Sequence, residues 1–524
     1  MSTVAAPLHR LRAPVARFRA LPVAVQVALG VAFIAGFSLA LRTQAIHARY
    51  WIDEGLSIGI AQHPLLDIPG VMRQDGSPPL YYMLLSVWIG LFGIGEADTH
   101  VLSLAFAIAL VPAVFVAARA LFGRRAAWFG AVLAAMNPFV TYYAQETRMY
   151  TLVALLGVLV TGTFVLAFVQ RRRAWLAGFA LGLAILVYTH NWGLFLGVAT
   201  VAALAALLAT APARERMSLL RDAGIAYGAV GLVYLPWVPS LLSQARHTGA
   251  PWATRPDPQR AVTAMTSLLG GPAPAMAFAL VAGSGIALML RSPRLRSVEA
   301  RTALSVVIIG AVALLVAWTA SQASPAWATR YLAILIGPLL LIGAGGLARA
   351  GALGAVALAA LAIFWAEPRV GALESKSNAH TAAVLVRDRL EPGDLVVAIH
   401  PEQGPVMRLY LPPGLRWANA MGFVPDPRLL DWRDVTARLK AAKPAATSDM
   451  MVRALRPGQR LVLVQPIIRS GSWRAPWTSL VRRRAGQWER RLDDDPRVSR
   501  VLAVPRLRGR PLPRGVRIVL YERR

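Results

Sequence analysis

The sequence predicts a polytopic α-helical membrane protein with about eleven transmembrane helices, interfacial helices in the first outer loop and a C-terminal α/β domain. Three observations predict it. Hydrophobic residues make up 56% of the 524-residue chain and charged residues only 16%, where a soluble chain carries about a quarter. The apolar excess is gathered within residues 1–366 into runs of about 17–22, the length that crosses a bilayer. Beyond residue 366, charge and proline return and short apolar runs alternate with helical patterns.

In chain order, residues 1–21 carry His9, Arg10, Arg12, Arg17 and Arg19 ahead of the first apolar run. That run, 23–41, ends in Leu39-Ala40-Leu41-Arg42 without a small-residue cleavage site, which predicts a retained first span rather than a removed signal peptide. The later spans are predicted at 100–121, 127–141, 150–169, 174–188, 193–208, 225–242, 274–290, 303–320, 331–347 and 351–366. The segment 79–95 is also apolar, and the positive-inside rule decides its place. With it left out, Arg119, Arg124 and Arg125, Arg171 to Arg173, Arg214, Arg216 and Arg221, Arg291, Arg294, Arg296 and Arg301, and Arg349 all face the cytoplasm. Counting it as a span moves every one of these clusters outside. It is therefore predicted to lie along the outer interface, where Tyr81, Tyr82 and Trp88 suit the head-group region.

This threading puts the loop 42–99, the segment 145–149, His190-Asn191-Trp192, the loop 243–271 and the segment 322–330 on the extracytoplasmic side of a plasma membrane. The tail follows an odd number of spans and joins them there. Strand-like runs at 394–399, 460–465, 498–504 and 516–521, with helical patterns at 405–411 and 431–442, predict a small α/β domain. The chain thus divides into a membrane domain, 1–366, and an extracytoplasmic domain, 367–524.

The net charge of +30 comes almost wholly from arginine, since lysine occurs only at Lys376, Lys440 and Lys443. These arginines flank apolar spans or are scattered in the tail, which points to anionic membrane lipids and not to nucleic acid. The absence of cysteine excludes disulfides, thiolate metal sites and a cysteine nucleophile. No phosphate-binding Walker loop, His-Glu-x-x-His or Gly-x-Ser-x-Gly motif is present.

Three polar motifs fall on the outer side: Tyr50-Trp51-Ile52-Asp53-Glu54-Gly55, then Asp75-Gly76-Ser77-Pro78-Pro79-Leu80-Tyr81-Tyr82, then Tyr142-Tyr143-Ala144-Gln145-Glu146-Thr147-Arg148-Met149-Tyr150. Adjacent carboxylates beside a bilayer are costly to keep and mark a functional site. Transfer of a sugar from a lipid-borne donor needs a base, a cation for the departing phosphate and a groove open to lipid. Asp53 or Glu54 supplies the base, and Arg148 or Arg330 the cation. Asp75, Tyr81, Tyr82, Tyr143, Gln145, Glu146 and His190 are candidates for binding substrate. Simpler roles compete. Asp75 suits a helix N-cap before the interfacial helix, and Glu146 with Arg148 suits an ion pair at a span end. Asp493-Asp494-Asp495, beside Arg490 and Arg491, reads as a solvated turn rather than a metal site.

The Trp51-Ile52-Asp53-Glu54 motif, the Asp75-x-x-Pro78-Pro79-Leu80-Tyr81-Tyr82 motif, the Tyr143-x-Gln145-Glu146-x-Arg148-x-Tyr150 motif and Arg330-Tyr331-Leu332 at the head of a late span resemble, in order and spacing, glycosyltransferase family 39 of the GT-C superfamily. That family includes protein O-mannosyltransferases and aminoarabinose transferases, and the resemblance covers residues 1–366. It implies a polyprenyl-phosphate-linked sugar as donor, an extracytoplasmic site and inversion at the anomeric carbon. It assigns the base to Asp53, acceptor binding or site shape to Glu54, and the donor phosphate to Arg148, Arg330 and Tyr331. Phosphate is a good leaving group, so no cofactor is required, although a divalent metal is compatible. Ser77 stands where protein mannosyltransferases usually have histidine, and their β-trefoil insertion has no counterpart. The acceptor therefore stays open among glycan, lipid and protein hydroxyls, and the sugar among hexoses and pentoses, mannose and arabinofuranose included. Two other classes compete with an enzyme. A lipid or polysaccharide transporter or flippase would place charges at mid-membrane, and a non-catalytic cell-envelope assembly protein would use the tail for recognition.

Overall fold

The structure is a computed structural model and describes residues 21–291, 297–367, 370–467, 475–504 and 515–524. The basic residues His9 to Arg19, and Arg294 and Arg296, lie outside the described residues. Every predicted span is helical. Among the described residues, eight helices are long and apolar enough to cross a membrane, and Leu80–Phe92, Trp175–Thr189 and Gly351–Trp365 are shorter apolar helices.

Two of the predicted spans are broken, and proline explains both. The predicted span 127–141 is Arg124–Met136 followed by Pro138–Tyr143. Pro138 brings no N–H to continue the first helix, and the Asn137 side chain caps the second by accepting from the Val140 N–H. The predicted span 225–242 belongs to a longer stretch, Ala213–His247, interrupted by a 3-10 turn at Leu235–Trp237 around Pro236. Leu80–Phe92 buries Tyr81, Tyr82 and Leu85 and leaves Leu84, Val87, Leu91 and Phe92 exposed, an apolar face suited to lipid.

Two spans form the centre of the bundle. Within the most apolar 18-residue stretch of each span, 89% of the residues are buried in Tyr150–Val169 and 78% in Thr329–Arg349, against 6% in the first span. Gly157 and Gly337 lie where these two helices cross, and a Cβ on Gly337 would overlap the Gly157 backbone. Small residues let the backbones touch. That contact brings the N-terminal ends of both central helices together, with Arg148 before one and Arg330 at the start of the other. Arg42, fully buried, secures the first span by donating to the carbonyls of Ala107 and Ala134 at 2.8 and 2.6 Å. At the far end of Tyr150–Val169, roughly 30 Å along the axis, Arg171 and Arg173 pair with Asp222. The arginine clusters and the acidic motifs thus occupy opposite ends of the bundle.

The C-terminal sheet has six strands in the order β3-β2-β1-β4-β6-β5. β1 (Leu395–Ala398) is buried on both faces and runs parallel to β2 (Arg416–Asn419) and to β4 (Arg460–Ile467). β6 (Gly515–Arg523) is antiparallel to β4 and to β5 (Val498–Ala503), and β3 (Gly422–Phe423) forms the other edge. The predicted strands correspond to β1, β4, β5 and β6; β2, β3 and the helix Pro476–Asp493 carry weaker signals and are additions. The acidic run at 493–495 ends that helix, with Asp493 paired to Arg500 and Asp495 to Arg497.

The sheet unit is not separate from the first loop. Tyr50, Trp51, Ile52 and Ile58 share one hydrophobic cluster with Val396, Val406, Met407, Val462 and Leu520. Gly55 and Gly59, one turn apart on the helix Ile52–Ala61, face the backbones of Val406 and Arg428 so closely that a Cβ on either would overlap them.

Candidate active site

The first acidic motif starts the helix Ile52–Ala61, with Trp51 as an extended N-cap. Asp53 and Glu54 fall in its first turn, where the exposed N–H groups and the helix dipole favour carboxylates. Successive helical residues point about 100° apart, so the two carboxylates diverge. Asp53 faces a small cavity of about 110 Å³ lined in part by Asp75, Tyr82, Arg148, Arg330 and Tyr331.

The Asp53 Oδ2 stands 3.3 Å from Arg330 Nη2. Arg148 Nη1 donates to the Asp53 carbonyl at 3.2 Å and to Ser57 Oγ at 2.9 Å, and Nη2 reaches the Tyr150 hydroxyl at 3.4 Å. Ser57 in turn donates to the Asp53 carbonyl. Burial alone would ease the proton off Arg148, but Tyr150, Tyr82 and Asp53 hold it firmly protonated. The Arg330 guanidinium lies over three rings, those of Trp252, Tyr331 and Trp51, at 5.0, 5.3 and 5.9 Å from their centroids.

Asp75 closes the helix Ile68–Asp75, and the N-cap of Leu80–Phe92 is Pro79. The N-cap role open to Asp75 is thereby overturned: paired prolines separate it from the helix it would have capped. Its carboxyl is pushed up to about 6, chiefly by burial, against the pull of Arg148 and Ser77 and with a further push from Asp53.

His190 is buried at the end of the helix Trp175–Thr189, edge-on to Tyr331 at 4.9 Å. Its Nδ1 accepts from the Trp192 backbone N–H at 3.1 Å, so the ring proton resides on Nε2. Burial, Arg148 and Arg330 lower its pKa to about 3 and keep it neutral.

Several sequence candidates lie near the cavity without lining it. Glu54 has no exposed surface and turns into the bundle. One oxygen accepts from His100 Nε2 at 2.6 Å and from the Thr147 N–H at 2.9 Å, and the other meets Lys376 Nζ at 2.6 Å. Burial would raise the Glu54 pKa, but Lys376 and His100 outweigh it and hold the group below the usual carboxylate range. Glu146 is also buried and stands 3.7 Å from Lys376. The ion pair open to Glu146 and Arg148 is replaced by one to Lys376, a residue from after the last span. Gln145 ties the first loop down by accepting from the Ala45 N–H and donating to the Thr141 carbonyl. Tyr143 packs on Phe139 and Tyr150 and, with Gln145, lines a neighbouring aromatic cavity of about 230 Å³. Tyr81 is fully buried against Tyr82.

Sequence reasoning missed Trp252, Glu402 and Trp432, which line the cavity, and Lys376 and His100, which hold Glu54. Glu402 and Trp432 come from the C-terminal domain and sit in no recognisable motif. Lys376 had one signal, as a lysine in an arginine-rich chain.

The chain is a polytopic helical bundle with short helices in its first loop and a C-terminal sheet, and solved structures share this fold. The fold is similar to that of ArnT from Cupriavidus metallidurans bound to undecaprenyl phosphate, with a TM-score of 0.62 and 15% identity over 95% of this chain and 98% of that one. It is also similar to the arabinofuranosyltransferase AftD from Mycobacteria, with a TM-score of 0.53 and 15% identity. There the match covers 94% of this chain and 39% of AftD. The archaeal oligosaccharyltransferase AglB from Archaeoglobus fulgidus, in complex with an inhibitory peptide and a dolichol-phosphate, gives a TM-score of 0.52 at 12% identity over 83% of this chain and 69% of that one. At these identities the likeness is one of fold. No protein-family model matches the chain, and no curated protein matches it by sequence.

Proposed function

We propose that this chain is an inverting membrane glycosyltransferase that moves a sugar from a polyprenyl-phosphate donor to an acceptor hydroxyl. The observation that carries the reading is one cavity in which the Asp53 carboxylate faces two guanidinium groups, Arg148 and Arg330. Gly76, Ser77 and Tyr331 line both this cavity and a second, mostly apolar cavity of about 310 Å³, which suits the donor's hydrocarbon chain. Solved relatives of the same fold are bound to undecaprenyl phosphate and dolichol-phosphate.

In the proposed step the acceptor oxygen attacks the anomeric carbon from the face opposite the phosphate. Asp53 takes the hydroxyl proton as the new C–O bond forms. The bond between the anomeric carbon and the phosphate oxygen breaks, and its electron pair leaves on the phosphate. Arg148 and Arg330 offset that charge with fork-shaped donors. Arg330 pairs with Asp53 in the resting site, so arrival of the donor phosphate draws it away and leaves the carboxylate free to act. Asp75, mostly ionised at neutral pH with a carboxyl raised to about 6, and the neutral His190 hold sugar hydroxyls. Glu54 holds the helix. We place the site and the sheet domain on the extracytoplasmic side of the plasma membrane, following the arginine distribution.

The test is release of labelled sugar from a polyprenyl-phosphate donor by purified protein, with Asp53→Asn as comparison. Equal turnover by the two proteins would sink the reading.

A further inference from the structure

Lys376 lies in the connector between the last span, Gly351–Trp365, and the helix Ala379–Arg387 that packs on the sheet. It is 3% exposed, although surface cations elsewhere in this chain are nearly all arginine. Its ammonium enters the membrane bundle between two buried carboxylates, 2.6 Å from Glu54 and 3.7 Å from Glu146. Glu54 is the immediate neighbour of Asp53 in the first turn of the helix Ile52–Ala61. A fixed Glu54 therefore fixes both the rotation and the height of that helix, and with them the direction of the Asp53 carboxylate. The opposite side of the helix is seated on the C-terminal domain through Gly55 against Val406 and Gly59 against Arg428. The same domain lines the cavity with Glu402 and Trp432.

We propose that Lys376 is a positioning residue. It registers the Ile52–Ala61 helix, and so Asp53, against Arg148 and Arg330, and through it the C-terminal domain is a structural half of the active site and not a detachable recognition module. This rests on the reading of Asp53 as the base. A misplacement of about 1 Å in such a site costs on the order of a hundredfold in rate, whereas the groups that bind donor phosphate and lipid are untouched by Lys376.

The test compares wild type, Lys376→Met and the double variant Glu54→Gln with Lys376→Met, each full length in detergent with a labelled polyprenyl-phosphate sugar. Lys376→Met takes the ammonium away from two buried carboxylates, Glu54 and Glu146. Its kcat is expected to fall at least about 30-fold with donor KM within about threefold of wild type. The double variant removes the closest pair of opposite charges, leaves Glu146 as the one carboxylate that loses the ammonium, and is expected to fold. It should keep the wild-type donor KM and stay at least about tenfold down in kcat. A parallel loss in kcat and donor affinity, or wild-type kcat in the double variant, would overturn the proposal. Hydrogen exchange gives a readout independent of turnover. Amides of Ile52–Ala61 should exchange faster in the double variant, while those of Tyr150–Phe164 do not change; unchanged exchange at Ile52–Ala61 would also overturn it. If wild type transfers no sugar from the donor, the function fails on its own and the exchange experiment still judges the role of Lys376.

Discussion

Asp53 and Arg330 meet at 3.3 Å, one from the first loop of the chain and the other from the start of a late span. The contact exists because the two central spans touch backbone to backbone at Gly157 and Gly337, and because Glu54 fixes the helix that carries Asp53. In the proposed reaction the base is thus held at rest by a group that the departing phosphate would also need, which would link binding and activation through one guanidinium.

Replacing the carboxylate isolates its chemistry. Asp53→Asn keeps the size of the side chain and an acceptor oxygen for Arg330, so the fold and donor KM are expected to hold. Turnover should fall by about 10²–10⁴, the usual contribution of a positioned base. Steady-state sugar transfer measured beside a melting curve separates the two effects.

Arg148 makes a different demand. Its fork spans the Asp53 carbonyl, Ser57 and Tyr150, and a lysine has no planar fork to replace it. Arg148→Lys is expected to lower kcat/KM by at least about tenfold and to weaken product inhibition by polyprenyl phosphate, as hydrogen bonds to a charged group contribute about 1.5–3 kcal/mol each. Inhibition titrations with the free lipid phosphate check this. Unaltered inhibition would mean that Arg148 does not meet the phosphate.

Asp75 predicts a pH dependence of stability. Its pKa rises from 3.8 to about 6 in the folded chain, so the folded state binds the proton more tightly than the unfolded one. Folding is unpenalised below pH 4, loses stability as pH climbs from about 4 to 6, and carries the full cost above that, up to about 3 kcal/mol. Asp75→Asn removes the titration. It should raise the melting temperature at pH 7.5 and leave it unchanged at pH 3.5, below both values. A gain of equal size at both pH values would assign the effect to packing instead.

The membrane region was legible because its signals are local. Apolar runs of bilayer length gave the spans, and proline at 138 and 236 accounts for the two breaks. Asp53, Arg148 and Arg330 were legible from charge set against lipid together with motif spacing. Glu54 shows the limit: sequence pairs it with Asp53, but helical geometry turns neighbouring residues to different sides, so one carboxylate reaches the cavity and the other becomes an anchor. Lys376, Glu402 and Trp432 were hidden for another reason. They reach the site through the docking of the sheet on Gly55 and Gly59, a tertiary contact with no local pattern to announce it.

The proposed donor, acceptor and C-terminal domain all require one sidedness, and the chain's lack of cysteine makes it directly measurable. Leu66, in the first loop, is 86% exposed, and Ala213, which starts a span at the arginine-rich end, is exposed as well. Single variants Leu66→Cys and Ala213→Cys each carry one thiol at opposite ends of the bundle. With a membrane-impermeant maleimide on intact cells, Leu66→Cys is expected to label fully and Ala213→Cys only after the membrane is opened. This follows because positive loops resist translocation, and Arg214, Arg216 and Arg221 surround Ala213 while no comparable cluster surrounds Leu66. The reverse labelling pattern would put the Asp53 cavity on the cytoplasmic face and rule out an extracytoplasmic acceptor.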